Sequence, residues 1–236
     1  MVREIDALTR EVEASPEDRV LVLTGGADGI FITHYDVGEL TAVAEHEDVL
    51  ATIERGGPTT IHQVLNRLER MPKITIAALN GTAMGGGCEL SLACDFRLMA
   101  DGPFHYGLPE TSLGIIPGAG GTQRMARLLG TARALDLILH GQILTPREAS
   151  ALGLVHRLFP PYAFRAQVTA FAENLARRAP IALAAAKEAV RRGVELSMDE
   201  GLALEQREFG RTMRSADARG AMAAYLRGEG YEFAGR

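Results

Sequence analysis

Residues 80–110 read NGTAMGGGCELSLACDFRLMADGPFHYGLPE, and the fold turns on how this stretch is interpreted. It carries three consecutive glycines, Gly85 to Gly87, and two carboxylates, Glu89 and Glu110. The apolar runs ITIAAL before it (Ile74 to Leu79) and LSLACDFRLMA within it (Leu90 to Ala100) predict a buried strand followed by a buried helix. An ionisable Glu89 in such a setting has to be hydrogen-bonded, protonated or functional. The glycines stand where the strand hands over to the helix, so the backbone there can approach a ligand closely and aim its N–H groups outward at the positive end of the helix dipole. Fixed donors of that kind suit an oxygen that gains negative charge during a reaction. The other reading of the triplet is tight packing of a loop.

Working outward, 236 residues with 47% hydrophobic content are enough for one sizeable core and one catalytic domain. The net charge of -5, without a block of Lys or Arg, argues against nucleic acid as a partner. No apolar run approaches the roughly 20 residues of a membrane span, and the start MVREIDALTREVE is charged and helix-patterned, unlike a secretory signal. The expectation is a cytoplasmic protein with no membrane partner. Cys88 and Cys94 lie in one predicted helix without facing each other, as small core residues of a reducing compartment do. The histidines show no metal-ligand spacing, so no metal site is expected.

Along the chain, Val2, Ile5, Leu8 and Val12 recur at helical spacing over Met1 to Ala14, ahead of Pro16. VLVLT (Val20 to Thr24) predicts a buried strand. Gly25, Gly26 and Gly29 form a turn into FITHYDVGEL (Phe31 to Leu40). Ala42 to Met71 is helical in pattern and is broken in two by Gly56, Gly57 and Pro58. Its charged first half is a mobile lid or a solvated face. Phe96 to Ala100 predicts a further strand. IIPGAGGTQRMARLLG (Ile115 to Gly130) leads through Gly118, Gly120 and Gly121 into another helix, as a tight packing turn or as a ligand contact. Thr145, Pro146 and Glu148 make a capping box, Leu154 to Phe159 a last strand, and everything after Ala163 reads as helix, with a second capping box at Ser197 and Glu200. The Ala-rich helices from Ile181 offer surface to bury between chains.

The combination of TGG…F…D…EL (Thr24 to Leu40), AALNGTAMGGGCELSLACDFRLMA (Ala77 to Ala100), LPETSLGIIPGAGGTQRMARLLG (Leu108 to Gly130) and ALGLV (Ala151 to Val155) resembles the enoyl-CoA hydratase/isomerase, or crotonase, superfamily. The resemblance implies an α/β fold, a spiral of ββα turns over residues 1–160. It also implies a helical C-terminal region over residues 161–236 that builds homotrimers, usually paired into homohexamers. The family's opening β-hairpin has no counterpart ahead of Met1: either the start is misplaced or the expected core lacks those strands. The implied reaction adds water to a 2-enoyl-CoA thioester in fatty-acid metabolism, with coenzyme A as part of the substrate and no separate cofactor. The implied oxyanion hole is formed by the N–H groups of Tyr35 and Gly86, the implied catalytic pair is Glu89 and Glu110, and the implied substrate-binding set is Thr33, Tyr35, Asp36, Val37, Gly85 and Gly86.

Those residue types suffice for the chemistry. Hydration needs an oxygen nucleophile at C3, a proton at C2 and stabilisation of the enolate that grows on the thioester oxygen. Family isomerases commonly need only the glutamate at the Glu110 position, whereas hydratases keep both. One departure is local: His34 and Tyr35 stand where the family pattern has a small Gly-Ala pair. A backbone donor survives a change of side chain, and Tyr35 then narrows the acyl pocket, offers a hydroxyl, or packs as an ordinary aromatic. The competing expectations are another crotonase-type reaction (isomerisation, hydrolysis or decarboxylation) and a catalytically silent acyl-CoA-binding subunit.

Overall fold

The computed structural model describes residues 1–57 and 59–236. Helix α1 (Val2–Ala14) leads into strands β1 (Val20–Thr24) and β2 (Gly29–Ile32), then helices α2 (Val37–Ala44), α3 (Glu47–Glu54) and α4 (Thr60–Arg70). The same order returns as β3 (Ile74–Leu79), β4 (Gly81–Met84) and α5 (Gly86–Ala93). It returns again as β5 (Phe96–Ala100), β6 (Tyr106–Gly107), a 3-10 turn at Glu110–Leu113, α6 (Gly121–Leu129) and α7 (Thr131–Leu139). The chain ends with β7 (Ile143–Leu144), α8 (Pro146–Ala151), β8 (Arg157–Phe159), α9 (Phe164–Ala176), α10 (Pro180–Gly193), α11 (Met198–Met213) and α12 (Ala216–Leu226).

One sheet has the order β1-β3-β5-β8 and the other β2-β4-β6-β7. In the pairs β1/β2, β3/β4 and β5/β6 the first strand joins one sheet and the second joins the other, so each of these units is one turn of a spiral; β7 and β8 join the sheets in the reverse order. Neighbours β3/β5, β5/β8, β2/β4 and β4/β6 run parallel, and β7 closes antiparallel on β6. Every residue of β3 is buried, which explains its unbroken apolar run: a parallel strand covered on both faces has no polar side. Its one polar residue, Thr75, bonds Asp95 through both its N–H and its hydroxyl. Behind α5, buried Arg97 donates to the carbonyls of Leu154, Ser91 and Cys94, so the charge is fully engaged.

The pattern over residues 42–71 resolves into three helices rather than two. Asp36 caps the start of α2 at Gly38 and Glu39, and Gly56 (φ 73°) lies between α3 and α4. The part of the expected break that falls on Pro58 lies outside the described residues. The strand expected over Leu154 to Phe159 is shorter, because the N–H groups of Leu154 and Val155 bond the carbonyl of Ala149 instead of a ladder partner.

The chain divides into two compact units. The first comprises Met1–Glu11, Val22–Glu69 and Thr75–Val168, and holds most of both sheets. The second comprises Val12–Leu21, Arg70–Ile74 and Thr169–Arg236. In the second, α10 packs on α11, and α11 starts at the expected Ser197–Glu200 capping box. Lys73 Nζ donates to the carbonyls of Val12 and Ser15, and Arg19 donates to those of Ala176 (3.0 Å) and Phe233 (2.8 Å). Buried Asp217 accepts from the N–H groups of Ala234 and Gly235 and so fixes the C-terminal residues.

Candidate active site

Strand β4 ends at Met84 and α5 begins at Gly86, with Gly85 between them at φ 50° and ψ -125°. That conformation is open to glycine and strained for other residues. The neighbouring segment that follows β2 lies directly against the triplet. A methyl group on Gly87 would stand 2.2 Å from the Ile32 carbonyl oxygen, one on Gly85 3.7 Å from His34 Cα, and one on Gly86 3.8 Å from the Tyr35 nitrogen. At Gly87 a side chain is excluded, while at Gly85 and Gly86 the segment lies at ordinary van der Waals distance, which sets the Tyr35 nitrogen beside Gly86. Gly86 is the first residue of α5, so its N–H has no carbonyl in its own helix to bond, and it sits at the positive end of that helix. Among the described residues, no acceptor bonds the N–H of either Tyr35 or Gly86.

Glu89 lies in the first turn of α5 and is 3% exposed. Its Oε1 accepts from the N–H groups of Ala119 (2.7 Å) and Gly121 (2.8 Å), at the start of α6. Both bonds fall on Oε1, which leaves Oε2 without a protein partner among the described residues. Burial pushes the Glu89 carboxyl up from the usual range, and the two N–H groups, with Arg124 and His62, pull it back. Glu110 opens the 3-10 turn after β6, and its Oε1 lies 3.2 Å from where a Gly85 methyl would stand. Its Oε2 is buried without a hydrogen-bond partner among the described residues. Burial first, and the Glu89 charge in addition, push Glu110 up to about 7. Two carboxyl groups and two backbone donors thus gather around the glycine triplet.

The remaining expected residues have varied surroundings. Thr33 is half-buried between β2 and α2, Asp36 spends its carboxylate on the α2 cap, and Val37, first in α2, is 45% exposed. Tyr35 lays its ring edge 3.9 Å from the methyl position of Gly86, and its phenol is raised by burial and by a hydrogen bond to Glu39. His34 is exposed and bonds the Tyr35 carbonyl through Nδ1 at 2.7 Å. The PGAGG turn does more than pack a helix against the core. It supplies the two amides that hold Glu89, so Gly121, which the sequence marked only as part of a turn, joins the site together with Ala119, which the sequence reading did not single out.

The arrangement has relatives. The sequence pattern of the family described as Enoyl-CoA hydratase/isomerase matches residues 1–236. The 2,3-dehydroadipyl-CoA hydratase of Escherichia coli is 37% identical over 232 residues, covering 97% of this chain and 87% of the relative. The short-chain-enoyl-CoA hydratase of Clostridium acetobutylicum is 35% identical over 226 residues, covering 95% of this chain and 84% of the relative. The crystal structure of the enoyl-CoA hydratase from Bacillus anthracis superposes with a TM-score of 0.91 at 34% identity, covering 100% of this chain and 88% of that one. With the ββα spiral, the paired glutamates and a family match along its whole length, the chain belongs to the enoyl-CoA hydratase/isomerase family, the crotonase superfamily.

Proposed function

We propose that the protein is an enoyl-CoA hydratase that adds water across the double bond of a 2-enoyl-CoA thioester. The observation that carries this reading is the pair of carboxyl oxygens, Oε2 of Glu89 and Oε2 of Glu110, and the two backbone donors beside them, all without a hydrogen-bond partner among the described residues. In this assignment the N–H groups of Tyr35 and Gly86 grip the thioester oxygen and stabilise the enolate as it forms. Glu89, held through Oε1, takes a proton from water with Oε2 while the water oxygen bonds to C3. Glu110, raised to about 7 and so partly protonated at neutral pH, delivers the proton to C2. The proton count closes through exchange between the two carboxyl groups and solvent. Thr33, Asp36, Val37 and Gly85 are assigned to shaping the substrate-binding wall. The step as drawn uses only protein groups, with coenzyme A as part of the substrate.

Two further assignments accompany this one. The assembly is proposed to be a homotrimer, alone or paired into a hexamer, built through the helical region from residue 161; exposed Phe209, Tyr225 and Leu226 in that region support it. The location is proposed to be the cytoplasm, in keeping with two free, buried cysteines, and the reaction is placed in fatty-acid metabolism. Among the described residues, no helix is long and apolar enough to cross a membrane.

The test is loss of the conjugated thioester absorbance of crotonyl-CoA. Steady loss with wild type is expected, together with a fall on the order of 10²- to 10⁴-fold for Glu89→Gln and for Glu110→Gln. A Glu89→Gln variant that hydrates at the wild-type rate would remove the reading. Double-bond migration that needs Glu110 but not Glu89 would replace it with the isomerase alternative.

A further inference from the structure

Arg124 stands at the fourth position of α6, immediately beside the turn that holds Glu89. Its side chain is 12% exposed, and its guanidinium reaches two elements at once. Nη1 donates to the Ala119 carbonyl (3.1 Å). Nη2 donates to Asn66 Oδ1 (2.9 Å) and Glu69 Oε2 (2.9 Å), and Nε donates to the same Glu69 oxygen (3.2 Å). Asn66 and Glu69 are three residues apart on α4, so they share a face of that helix. The fork therefore ties the Ala119 carbonyl to α4. Ala119 and Gly121 are the residues whose N–H groups hold Glu89 Oε1. Between them Gly120 takes φ 97°, where a methyl group would stand 2.4 Å from Arg124 Nη1. The turn thus leaves room at its centre for the guanidinium and for nothing larger than a hydrogen on the backbone.

We propose that Arg124 is a positioning residue for the reaction assigned above: by clamping the 119–121 turn against α4 it keeps two amides aimed at Oε1 of Glu89, and so keeps Oε2 turned toward the reacting water. This inference rests on the hydratase reading for its kinetic consequence and on the hydrogen bonds alone for its structural one. A planar fork with several fixed donors suits the task, because the backbone carbonyl, the amide and the carboxylate must be held in one geometry. Lysine would keep the charge and lose the fork. A guanidinium that merely joined α4 to α6 would leave turnover by the folded enzyme untouched when removed.

The experiment compares full-length wild type with Arg124→Met and Arg124→Lys, using crotonyl-CoA and, separately, deuterium uptake of the peptide spanning residues 117–125. For Arg124→Met the expected result is faster uptake in that peptide, kcat lowered by up to about 100-fold, and KM within about twofold of wild type, because a reacting group is misaimed while the substrate wall is intact. Arg124→Lys is expected to recover part of kcat. The acidic limb of the pH–rate profile should move to higher pH in Arg124→Met, since Arg124 favours the charged form of Glu89. The other groups acting on that carboxyl pair, His62 from α4 and Glu110 from the 3-10 turn, are unchanged, and β2 and β4 carry no titratable side chain. Unchanged uptake overturns the proposal, and so does faster uptake with wild-type kcat. If Arg124→Met does not fold, Arg124→Lys against wild type is judged by the same criteria. If wild type itself fails to hydrate crotonyl-CoA, the hydratase reading falls separately. The Glu89 carboxyl band, identified by infrared difference against Glu89→Gln, then decides on the clamp: a midpoint raised in the Arg124 variant supports it and an unmoved midpoint overturns it.

Discussion

At the scale of single residues, Glu110 is where cost and chemistry meet. Its carboxyl titrates at about 7 in the folded chain against 4.5 when unperturbed, with burial as the chief cause and the Glu89 charge behind it. A carboxyl raised in this way binds its proton more tightly folded than unfolded. Its stabilising contribution is therefore complete below about 4.5 and is lost as pH rises through about 7. Glu110→Gln removes the titration, so relative to wild type its Tm should gain more at pH 8 than at pH 5, as measured by thermal unfolding in the two buffers. Hydration by wild type should decline above about pH 7 as the proton donor empties. A Tm difference that does not vary with pH would mean that Glu110 is not held in its acid form by burial. Gly87 gives a second residue-scale prediction. A methyl there meets the backbone oxygen of Ile32 at 2.2 Å, so Gly87→Ala must push the segment after β2 away from α5. Spreading the N–H groups of Tyr35 and Gly86 should cost on the order of 10²-fold in kcat, the scale set by removing one oxyanion donor, even where the variant still folds.

At the scale of elements, legibility in the sequence followed length and chemical punctuation. Strands β1, β3 and β5 announced themselves as apolar runs bounded by turns, and the caps of α8 and α11 stood out as Ser/Thr with Glu three residues on. Strands β2, β4, β6 and β7 span two to four residues each, and the first three include a glycine, too little for a period of two to show. They form because a neighbouring spiral turn offers a ladder, which is a tertiary cause with no local signature. The site divides in the same way. Glu89, Glu110 and the triplet share one segment and could be grouped by eye, whereas Ala119, Gly121 and Arg124 join Glu89 only through the packing of α6 on α5. The α8 cap offers a check that is independent of activity. Thr145 accepts from the Glu148 N–H while Glu148 bonds back to Thr145, so Thr145→Ala should destabilise the fold by about 0.5–2 kcal/mol in urea titration. Its kcat on crotonyl-CoA should not change, because among the described residues no hydrogen bond of α8 reaches the glutamate pair.

For the whole molecule, the question is how a chain with so much uncovered apolar surface exists in water. Val190, Val194, Met198, Phe209, Tyr225 and Leu226 in the C-terminal helical region are each more than 60% exposed. Large apolar side chains gathered in one region are a usual mark of an interaction surface, and burying one is worth about 1.5–3 kcal/mol. The proposed trimer would cover such side chains between identical chains. Phe209 tests this directly: it lies on α11, is 64% exposed, and belongs to a different unit from the glutamate pair. Light scattering of wild type is expected to give a mass three or six times the 25.4 kDa of one chain. In Phe209→Glu, a charge placed where desolvation is required should shift the species to one chain mass at micromolar concentration, with far-ultraviolet dichroism unchanged. An assembly of undiminished mass in that variant would show that the subunit contact does not run over this part of α11, because a buried, unpaired carboxylate is too costly for a contact through it to survive.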